Sequence, residues 1–381
     1  MKALLIFIDM LNGNRLKLCN PETTEKAIEN TLKKLGGTVY TNCFTPCPDT
    51  PRSTATVWTG VMPRKNFCNT RVKYPRFYLN SEIDNIWKLC LRNEMEINLF
   101  LPPIYVEEGI LPAGIEKNAH LTPDMDLKKY LKIVNPQENS MTGFFLQDFH
   151  RVLDDTGYIS SKNYKAYELI DRELNMIFNV LSPKDFDVII LYSDHGFSDF
   201  EDGKKVKIGP DLICKDRIQI YLQIYKRGDM GIRTDDRLSC TTDIFPTFAG
   251  LCGSALENEV DGLDLFGEKV HDRIVVEDHA KFTSNIGQLL EYWGIIDSFG
   301  ITVTDFYGNW WPNIDDKKRI REYEQLLMNE GCEYTESVKF INVMRRYKDA
   351  QDVDVYDTMQ KRIKEKPSVF RKIWRRLTYA K

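Results

Sequence analysis

The sequence has no apolar run approaching the roughly 18 residues that a membrane-spanning helix needs, so it predicts no transmembrane segment. The first apolar stretch, Ala3 to Ile8, is short, and no small-residue cleavage site follows it. It is therefore interpreted as a strand and not as a signal peptide. Without a secretion signal, the nine cysteines, an odd number, are expected to be reduced thiols. These absences favour a cytoplasmic protein.

Histidine is also scarce. The five histidines lie at positions 120, 150, 195, 271 and 279, so a metal site with three imidazoles is barely available. The remaining composition is ordinary for a globular protein, since 42% of the 381 residues are hydrophobic and 28% are charged. A chain of this length can bury a large core.

Two apolar runs end at candidate metal ligands. The run 186–192 is followed by Ser193 and then by Asp194 and His195, and the run 3–8 is followed by Asp9. Both runs are typical of buried strands. Ligands bind at the carboxyl ends of the strands in an α/β sheet, and an adjacent oxygen and nitrogen ligand suit a metal ion. Each run therefore predicts half of a metal site.

A third segment, Thr50 to Gly60, predicts a helix with Thr50 as its N-cap and Pro51 at its first position. A hydroxyl at a helix N-terminus faces the positive end of the dipole, which suits an anionic phosphate or sulfate. Arg52 lies in the first turn and is the candidate to hold non-bridging oxygens. The alternative for Arg52 is a solvated helix charge.

Strand and helix patterns alternate along the chain, which predicts a parallel sheet with helices on both faces. Helices are predicted over 21–35, 81–92 and 162–181, and further strands over 38–40, 96–101, 143–147 and 218–225. Taken singly, each motif also has a structural explanation, because Asp-His-Gly is a common turn sequence and Thr-Pro a common cap. Their occurrence together favours a functional site.

The three segments, in this order, resemble the alkaline phosphatase superfamily, and in particular its sulfatase-like branch. In that branch a strand-end acidic residue comes first, and the nucleophile lies nine residues before a Thr-Gly pair. Thr50 precedes Thr59 and Gly60 by that interval. The resemblance continues through 145–150, 242–251 and 261–265, and covers roughly residues 1–290.

The resemblance implies an α/β sulfatase-like (alkaline phosphatase) fold, with a mostly parallel central sheet, helices on both faces and a small C-terminal sheet. Segments 273–277, 300–304 and 307–311 are the candidates for that small sheet. The expected organisation is a catalytic domain over 1–270, a small C-terminal α+β subdomain over 271–360 and a basic amphipathic tail over 361–381.

The residue at the nucleophile position indicates the chemistry. Sulfatases oxidise a Cys or Ser in a Cys-x-Pro-x-Arg context to formylglycine, and threonine cannot give that aldehyde because its β-carbon carries a methyl group. Cys47 lies twelve residues before Thr59, and Asp49 stands where the motif has proline. The resemblance therefore favours the phosphodiesterase and lipid-linked phosphotransferase types, in which a threonine is transiently phosphorylated. A sulfatase and a non-catalytic anion-binding member are the alternatives.

The resemblance implies one metal ion held by Asp9, Thr50, Asp194 and His195. This oxygen-rich set with one imidazole suits manganese or zinc better than magnesium or calcium. Sulfatases often have a second acidic ligand where this chain has Met10, which argues against a calcium-dependent sulfatase site.

Some relatives hold a second metal ion with an upstream Asp, a nearby His and a distant His. Asp148, His150 and His279 could fill those roles, although their spacing differs from the usual Asp-x-x-x-His. In a one-metal site, His150 is instead expected to protonate the leaving group or to bind the transferred anion. Relatives also place a basic residue in the loop after the metal strand, for which Lys205 and Lys207 are candidates. A plain surface loop is the alternative there.

The C-terminal segment 361–381 carries nine Lys or Arg residues and one acid, whereas the preceding 360 residues carry a net charge of −12. Phe370, Ile373, Trp374 and Leu377 form an apolar stripe bordered by arginines, as in an interfacial amphipathic helix on an anionic membrane. A solvated tail that packs on its own domain is the alternative. Nucleic acid is not an expected partner, because nothing else in this acidic chain supplies a basic face.

The sequence thus predicts a metal-dependent enzyme that transfers or hydrolyses a phosphate ester through a phospho-Thr50 intermediate. If the tail binds a membrane, the substrate is expected to be a lipid-linked or surface-glycan precursor at the inner face.

Overall fold

The computed structural model describes residues 1–23, 28–66, 68, 79, 82–107, 110–112, 114–122, 126–198, 213–280, 290–305 and 309–329. The side chains of residues 64, 107, 279, 280, 290, 291 and 305 are not part of this description. The predictions for Lys205, Lys207, the tail 361–381 and the side chain of His279 therefore lie outside the described part of the chain. The chain divides into two compact units, of which the larger is formed by Met1–Arg71, Pro75–Lys204 and Cys214–Ile274.

The larger unit is built on an eight-stranded sheet. The strands of this unit are β1 (Lys2–Ile8), β2 (Gly37–Tyr40), β3 (Cys43–Phe44), β4 (Glu96–Leu101), β5 (Ala119–Leu121), β6 (Ser140–Leu146), β7 (Val188–Ser193), β8 (Leu222–Lys226), β9 (Ile232–Asp235) and β10 (Ser239–Cys240). The sheet order is β5-β4-β6-β1-β7-β8-β2-β9, and β3 pairs separately with β10. Only β8 runs antiparallel to its neighbours β7 and β2. The predicted mostly parallel sheet is confirmed.

Helices cover both faces of this sheet. They are α1 (Glu29–Leu35), α2 (Thr50–Thr59), α3 (Pro63–Asn66), α4 (Ile86–Arg92), α5 (Ile104–Glu107), α6 (Leu127–Leu131), α7 (Asp148–Thr156), α8 (Tyr164–Val180), α9 (Lys215–Ile218) and α10 (Ile244–Leu251). Alternate residues of β1 enter two different cores: Leu5 packs in the core with residues of α2, α4 and α10, and Leu4 in the core with residues of α1, α7 and α8. Because successive side chains of a strand point to opposite faces, both faces are buried.

Several element boundaries differ from those predicted, and three of them have a local explanation. Asn20 accepts a hydrogen bond from the Glu22 backbone at 3.2 Å, a local turn, and α1 begins only at Glu29. Asn85 caps α4 by accepting from two backbone N–H groups, so this helix begins at Ile86 and not at residue 81. The strand predicted from residue 218 begins at residue 222, because 215–218 form the short helix α9.

The smaller unit contains a four-stranded sheet. Its strands are β11 (Ile274–Ala280), β12 (Leu290–Asp297), β13 (Gly300–Asp305) and β14 (Trp310–Trp311), in the order β11-β12-β13-β14, and they precede helix α11 (Lys317–Asn329). The pairings of β13 with β12 and β14 are antiparallel. The small C-terminal sheet is therefore confirmed, with β12 as a strand that the sequence patterns did not indicate. None of the described helices is both long enough and apolar enough to cross a bilayer.

Candidate active site

Two neighbouring central strands bring Asp9 and Asp194 together. In the parallel pair β1–β7, Ile8 is in register with Ser193, so the two aspartates are the next residues on adjacent strands. Parallel neighbours lie about 4.8 Å apart, which fixes the separation of the two carboxylates through the backbone. Both side chains are buried, with exposed fractions of 1% for Asp9 and 0% for Asp194.

Backbone amides hold one oxygen of Asp194. Its Oδ1 accepts hydrogen bonds from the backbone N–H of Met10 at 3.0 Å and of His195 at 2.8 Å. Met10 adopts a left-handed conformation (φ 65°), uncommon for a residue other than glycine, and the chain turns sharply after β1. Met10 therefore contributes its backbone N–H to the site. Sulfatases often have an acidic side chain at this position, which this chain lacks.

His195 directs one ring nitrogen toward the same site. Its Nδ1 lies 2.8 Å from the carbonyl oxygen of Gly196, which can only accept, so Nδ1 carries the proton. Its Nε2 faces Asp194 Oδ2 at 3.3 Å and Thr50 Oγ1 at 3.3 Å. Gly196 is required for this turn, since a Cβ there would lie 2.2 Å from the carbonyl oxygen of Asp216.

The sequence predicted Thr50 as the N-cap of α2, but the structure has Asp49 at that position. The Asp49 side chain accepts from the backbone N–H of Arg52 at 3.4 Å, and Thr50 is the first helical residue. Its hydroxyl is thus not needed as a cap. It lies 3.3 Å from Asp9 Oδ1 and 3.3 Å from His195 Nε2. Ser53 ties this helix to β7 through a 2.8 Å hydrogen bond to the carbonyl oxygen of Asp194.

The four residues fit a divalent cation. Ligand atoms of Asp9, Asp194 and His195 lie within 4.8 Å of one another, and no other such group of three occurs among the described residues. Asp194 Oδ2 is buried and accepts no hydrogen bond from any of the described residues. Burial, with the charge of Asp9, raises the pKa of Asp194 to about 6 against the opposing effect of His195. A cation offsets the cost of facing two buried carboxylates toward each other.

His150, on α7, is held by two carboxylates. Its Nδ1 lies 3.1 Å from Asp9 Oδ2, and its Nε2 lies 3.5 Å from Asp154 Oδ2. Burial disfavours the protonated ring, but the hydrogen bonds to Asp154 and Asp9 outweigh it and raise the pKa of His150 to about 11. Each ring nitrogen thus faces a carboxylate oxygen, an arrangement that favours the protonated ring over the neutral imidazole that a metal ligand requires.

Asp148 and Arg52, which were also predicted as site residues, form ion pairs with other side chains of the protein. Asp148 Oδ1 accepts from Arg151 Nη1 at 3.0 Å at the start of α7, and neither Asp148 nor His150 belongs to the three-ligand group. Arg52 is fully buried, and its guanidinium forms an ion pair with Asp49. A second metal site and a substrate contact by Arg52 stay predictions.

Sequence reasoning missed Asp49, Asp154 and Tyr158. Asp154 follows His150 by four residues in one helix, a spacing that places two side chains on the same face, and this signal was available. The Tyr158 hydroxyl donates to Asp154 Oδ1 at 2.6 Å. Nothing in the sequence alone separates Asp49 from Thr50 as a cap, because both residue types are favoured there.

Neither a protein-family model nor a curated protein matches this sequence. Solved structures do. A phosphonate monoester hydrolase of Agrobacterium radiobacter is 16% identical with a TM-score of 0.57, covering 94% of this chain and 95% of that one. The phosphonate monoester hydrolase SpPMH from Silicibacter pomeroyi is 11% identical with a TM-score of 0.60, covering 88% and 96%. A 2-O GAG sulfatase is 13% identical with a TM-score of 0.61, covering 88% and 93%.

The chain therefore has the fold of the sulfatase-like branch of the alkaline phosphatase superfamily, as the sequence motifs predicted. At these identities the likeness is one of fold, and the activity is argued from the site.

Proposed function

We propose that this protein is a metal-dependent enzyme that hydrolyses or transfers phosphate esters, with Thr50 as its nucleophile. The observation that supports this most directly is the position of the Thr50 hydroxyl, 3.3 Å from both Asp9 Oδ1 and His195 Nε2. Sulfatases and phosphonate monoester hydrolases share this fold, which supports ester hydrolysis in general.

Asp9, Asp194, His195 and Thr50 would hold the metal ion, and their donor set favours manganese or zinc, with magnesium or calcium as weaker candidates. When bound, such an ion lowers the pKa of a nucleophilic hydroxyl and neutralises charge on phosphate oxygens. The orientation of His195 suits this role, because its Nδ1 is committed to the Gly196 carbonyl oxygen.

The reaction proceeds in two displacements. Thr50 Oγ1 attacks the phosphorus, the bond between phosphorus and the leaving-group oxygen breaks, and the hydroxyl proton is lost to solvent. Water, in hydrolysis, or an alcohol, in transfer, then attacks phospho-Thr50 and restores the hydroxyl. His150, one-third exposed and with each ring nitrogen facing a carboxylate, is the candidate to give a proton to the leaving-group oxygen and to take one back from the attacking water or alcohol in the second displacement. Arg52, Lys205 and Lys207 are proposed to contact the non-bridging oxygens.

Sulfate esters are the second candidate substrates, because Thr50 cannot be converted to the formylglycine that sulfatases use. Threonine has a secondary hydroxyl, so oxidation of its β-carbon gives a ketone and not the aldehyde of formylglycine. A sulfatase acting through this position would need a route that does not pass through the aldehyde. A protein that only binds an anion at the same site is the remaining alternative.

A panel of chromogenic esters tests the proposal. With Mn²⁺ or Zn²⁺ supplied, p-nitrophenyl phosphate or bis(p-nitrophenyl) phosphate is expected to be turned over, and p-nitrophenyl sulfate at a far lower rate. Release of p-nitrophenol is measured with and without chelator. Faster turnover of the sulfate ester would favour the sulfatase alternative. Binding of phosphate without turnover of any ester would favour the anion-binding protein.

We further propose that the substrate is a lipid-linked or surface-glycan precursor, reached at the inner face of the membrane through segment 361–381. The basic and apolar pattern of that segment supports this. Deleting it is expected to weaken sedimentation with phosphatidylserine-containing vesicles and to leave turnover of soluble esters near the wild-type rate. Each basic residue near such a surface contributes about 1 kcal/mol, and the attraction is screened by salt.

Two controls separate the contributions to vesicle binding. Raised salt should mimic the deletion, whereas replacing Phe370 and Trp374 with serine should weaken binding even at low salt, because apolar insertion is independent of charge screening. Either of two outcomes would contradict the proposal of a membrane-linked substrate: the intact protein does not sediment with these vesicles at low ionic strength, or the deletion unfolds the protein.

A further inference from the structure

A chain of hydrogen bonds runs from a tyrosine outside the metal-ligand cluster to the ligand Asp9. The Tyr158 hydroxyl donates to Asp154 Oδ1 at 2.6 Å, Asp154 Oδ2 lies 3.5 Å from His150 Nε2, and His150 Nδ1 lies 3.1 Å from Asp9 Oδ2. Each His150 nitrogen therefore faces a carboxylate oxygen. The chain uses both oxygens of Asp154, so the position of that carboxylate is determined from two sides.

A left-handed turn at the C-terminal end of α7 brings Tyr158 to Asp154 in this hydrogen-bond chain. Gly157 and Tyr158 are both left-handed, with φ values of 65° and 56°, and the Tyr158 N–H bonds back to the carbonyl oxygen of Leu153 at 3.0 Å. Glycine adopts such a conformation readily, but an aromatic residue rarely does. A bulky residue in this region is strained, and such strain is concentrated at functional sites. Here it turns the tyrosine back over its own helix, toward Asp154.

The Tyr158 ring also joins this helix end to the metal-ligand loop. It packs against the ring of Phe197 with a centroid separation of 6.1 Å. Phe197 comes two residues after His195, and its carbonyl oxygen accepts from Asn12 Nδ2 at 3.2 Å. Tyr158 thus contacts the loop after β7 with its ring and the His150–Asp154 pair with its hydroxyl.

We propose that Asp154 and Tyr158 are positioning residues, which hold His150 so that its Nδ1 donates to Asp9 Oδ2 and leaves Asp9 Oδ1 facing Thr50. This inference rests on the proposed function: its catalytic readout needs the ester chemistry, and its metal-binding readout needs only the proposed metal site at Asp9. Asp154 is 59% exposed, and an exposed ion pair contributes little to stability. Its removal is therefore expected to disturb the site and not the fold.

The experiment compares Asp154→Ala with Asp155→Ala. Both aspartates are exposed residues of the same turn of α7, and each substitution removes one negative charge. Partners that orient a metal ligand are worth about 10- to 100-fold in metal affinity or activity. Asp154 acts one step further out, through His150, so Asp154→Ala is expected to lower Mn²⁺ affinity and kcat by about 10-fold, the lower end of that range, with KM nearly unchanged, and Asp155→Ala to change neither. Asp154→Glu, which restores a carboxylate, should recover part of both losses.

Equal Mn²⁺ affinity and equal kcat in the two alanine variants would overturn the proposal. If Asp154→Ala does not fold, Tyr158→Phe repeats the test, since it removes the hydroxyl that donates to Asp154 and keeps the ring, and it is expected to lower Mn²⁺ affinity measurably. Failure of the proposed function is distinguishable, because the wild-type protein would then turn over no ester. The Mn²⁺ titration of Asp154→Ala against Asp155→Ala would still decide the positioning role.

Discussion

Replacing Thr50 with valine is expected to lower kcat on phosphate esters by about 10⁴-fold or more, a loss on the order of those measured when other enzymes lose their nucleophile. Valine keeps the branched shape of threonine and exchanges only the hydroxyl for a methyl group. Helix α2 should remain intact because Asp49 provides its cap. The measurements are steady-state turnover of the chromogenic ester that the wild-type protein hydrolyses fastest, and the melting temperature of the variant.

Thr50→Ser provides the matched control, because it retains a hydroxyl at the same position and is expected to keep measurable turnover. Acid quenching during turnover, followed by mass spectrometry of the peptide that contains residue 50, should detect the phosphorylated form in the wild type and in the serine variant. Full activity of the valine variant would contradict the covalent mechanism. So would a phosphorylated peptide from another part of the chain.

The second large effect is expected from Asp194→Asn and His195→Ala, each of which should reduce bound manganese or zinc to near background. Loss of a direct ligand should cost at least the roughly 100-fold that loss of an orienting partner costs. Chelation should inactivate the wild type reversibly and lower its melting temperature, since a metal that binds only the folded state stabilises it. Metal content by elemental analysis and melting with and without chelator are the measurements.

The two variants should differ once metal is removed. An asparagine at position 194 can still accept from the backbone N–H groups of Met10 and His195, and it removes a negative charge that faces Asp9. Metal-free Asp194→Asn is therefore expected to melt no lower than metal-free wild type. Asp236→Asn, at an exposed position, is the control. Unchanged metal content in both site variants would place the metal site elsewhere.

The parts of the fold that could be predicted are those with a strong local signal. Strands β1 and β7 are continuous apolar runs that end at a polar ligand, so both the strands and the meeting of Asp9 with Asp194 follow from the sequence. The direction of β8 could not be predicted, because a hydrophobic pattern is the same read either way along a strand. Strand β12 was missed although 290–297 is rich in apolar residues.

The site contains details that depend on tertiary contacts. Asp49 and Thr50 are both good capping residues, and Thr50 lies one position into the helix with its hydroxyl near Asp9 and His195, two residues far away in the sequence. The two carboxylate partners of His150 likewise come from different segments. One of them, Asp154, is local, but the other is brought to His150 by the pairing of β6 with β1.

Strands β1 and β7 lie in the interior of the sheet, each hydrogen-bonded on both edges. Amide hydrogens of such strands exchange with solvent mainly through opening of the whole domain, whereas helix ends open at lower free energy. Asp9 and Asp194 follow directly after two strands that are expected to exchange slowly, whereas Thr50 and His150 lie in the first turns of two helices. The two carboxylates are therefore expected to keep their separation even when the helix ends that carry Thr50 and His150 open locally.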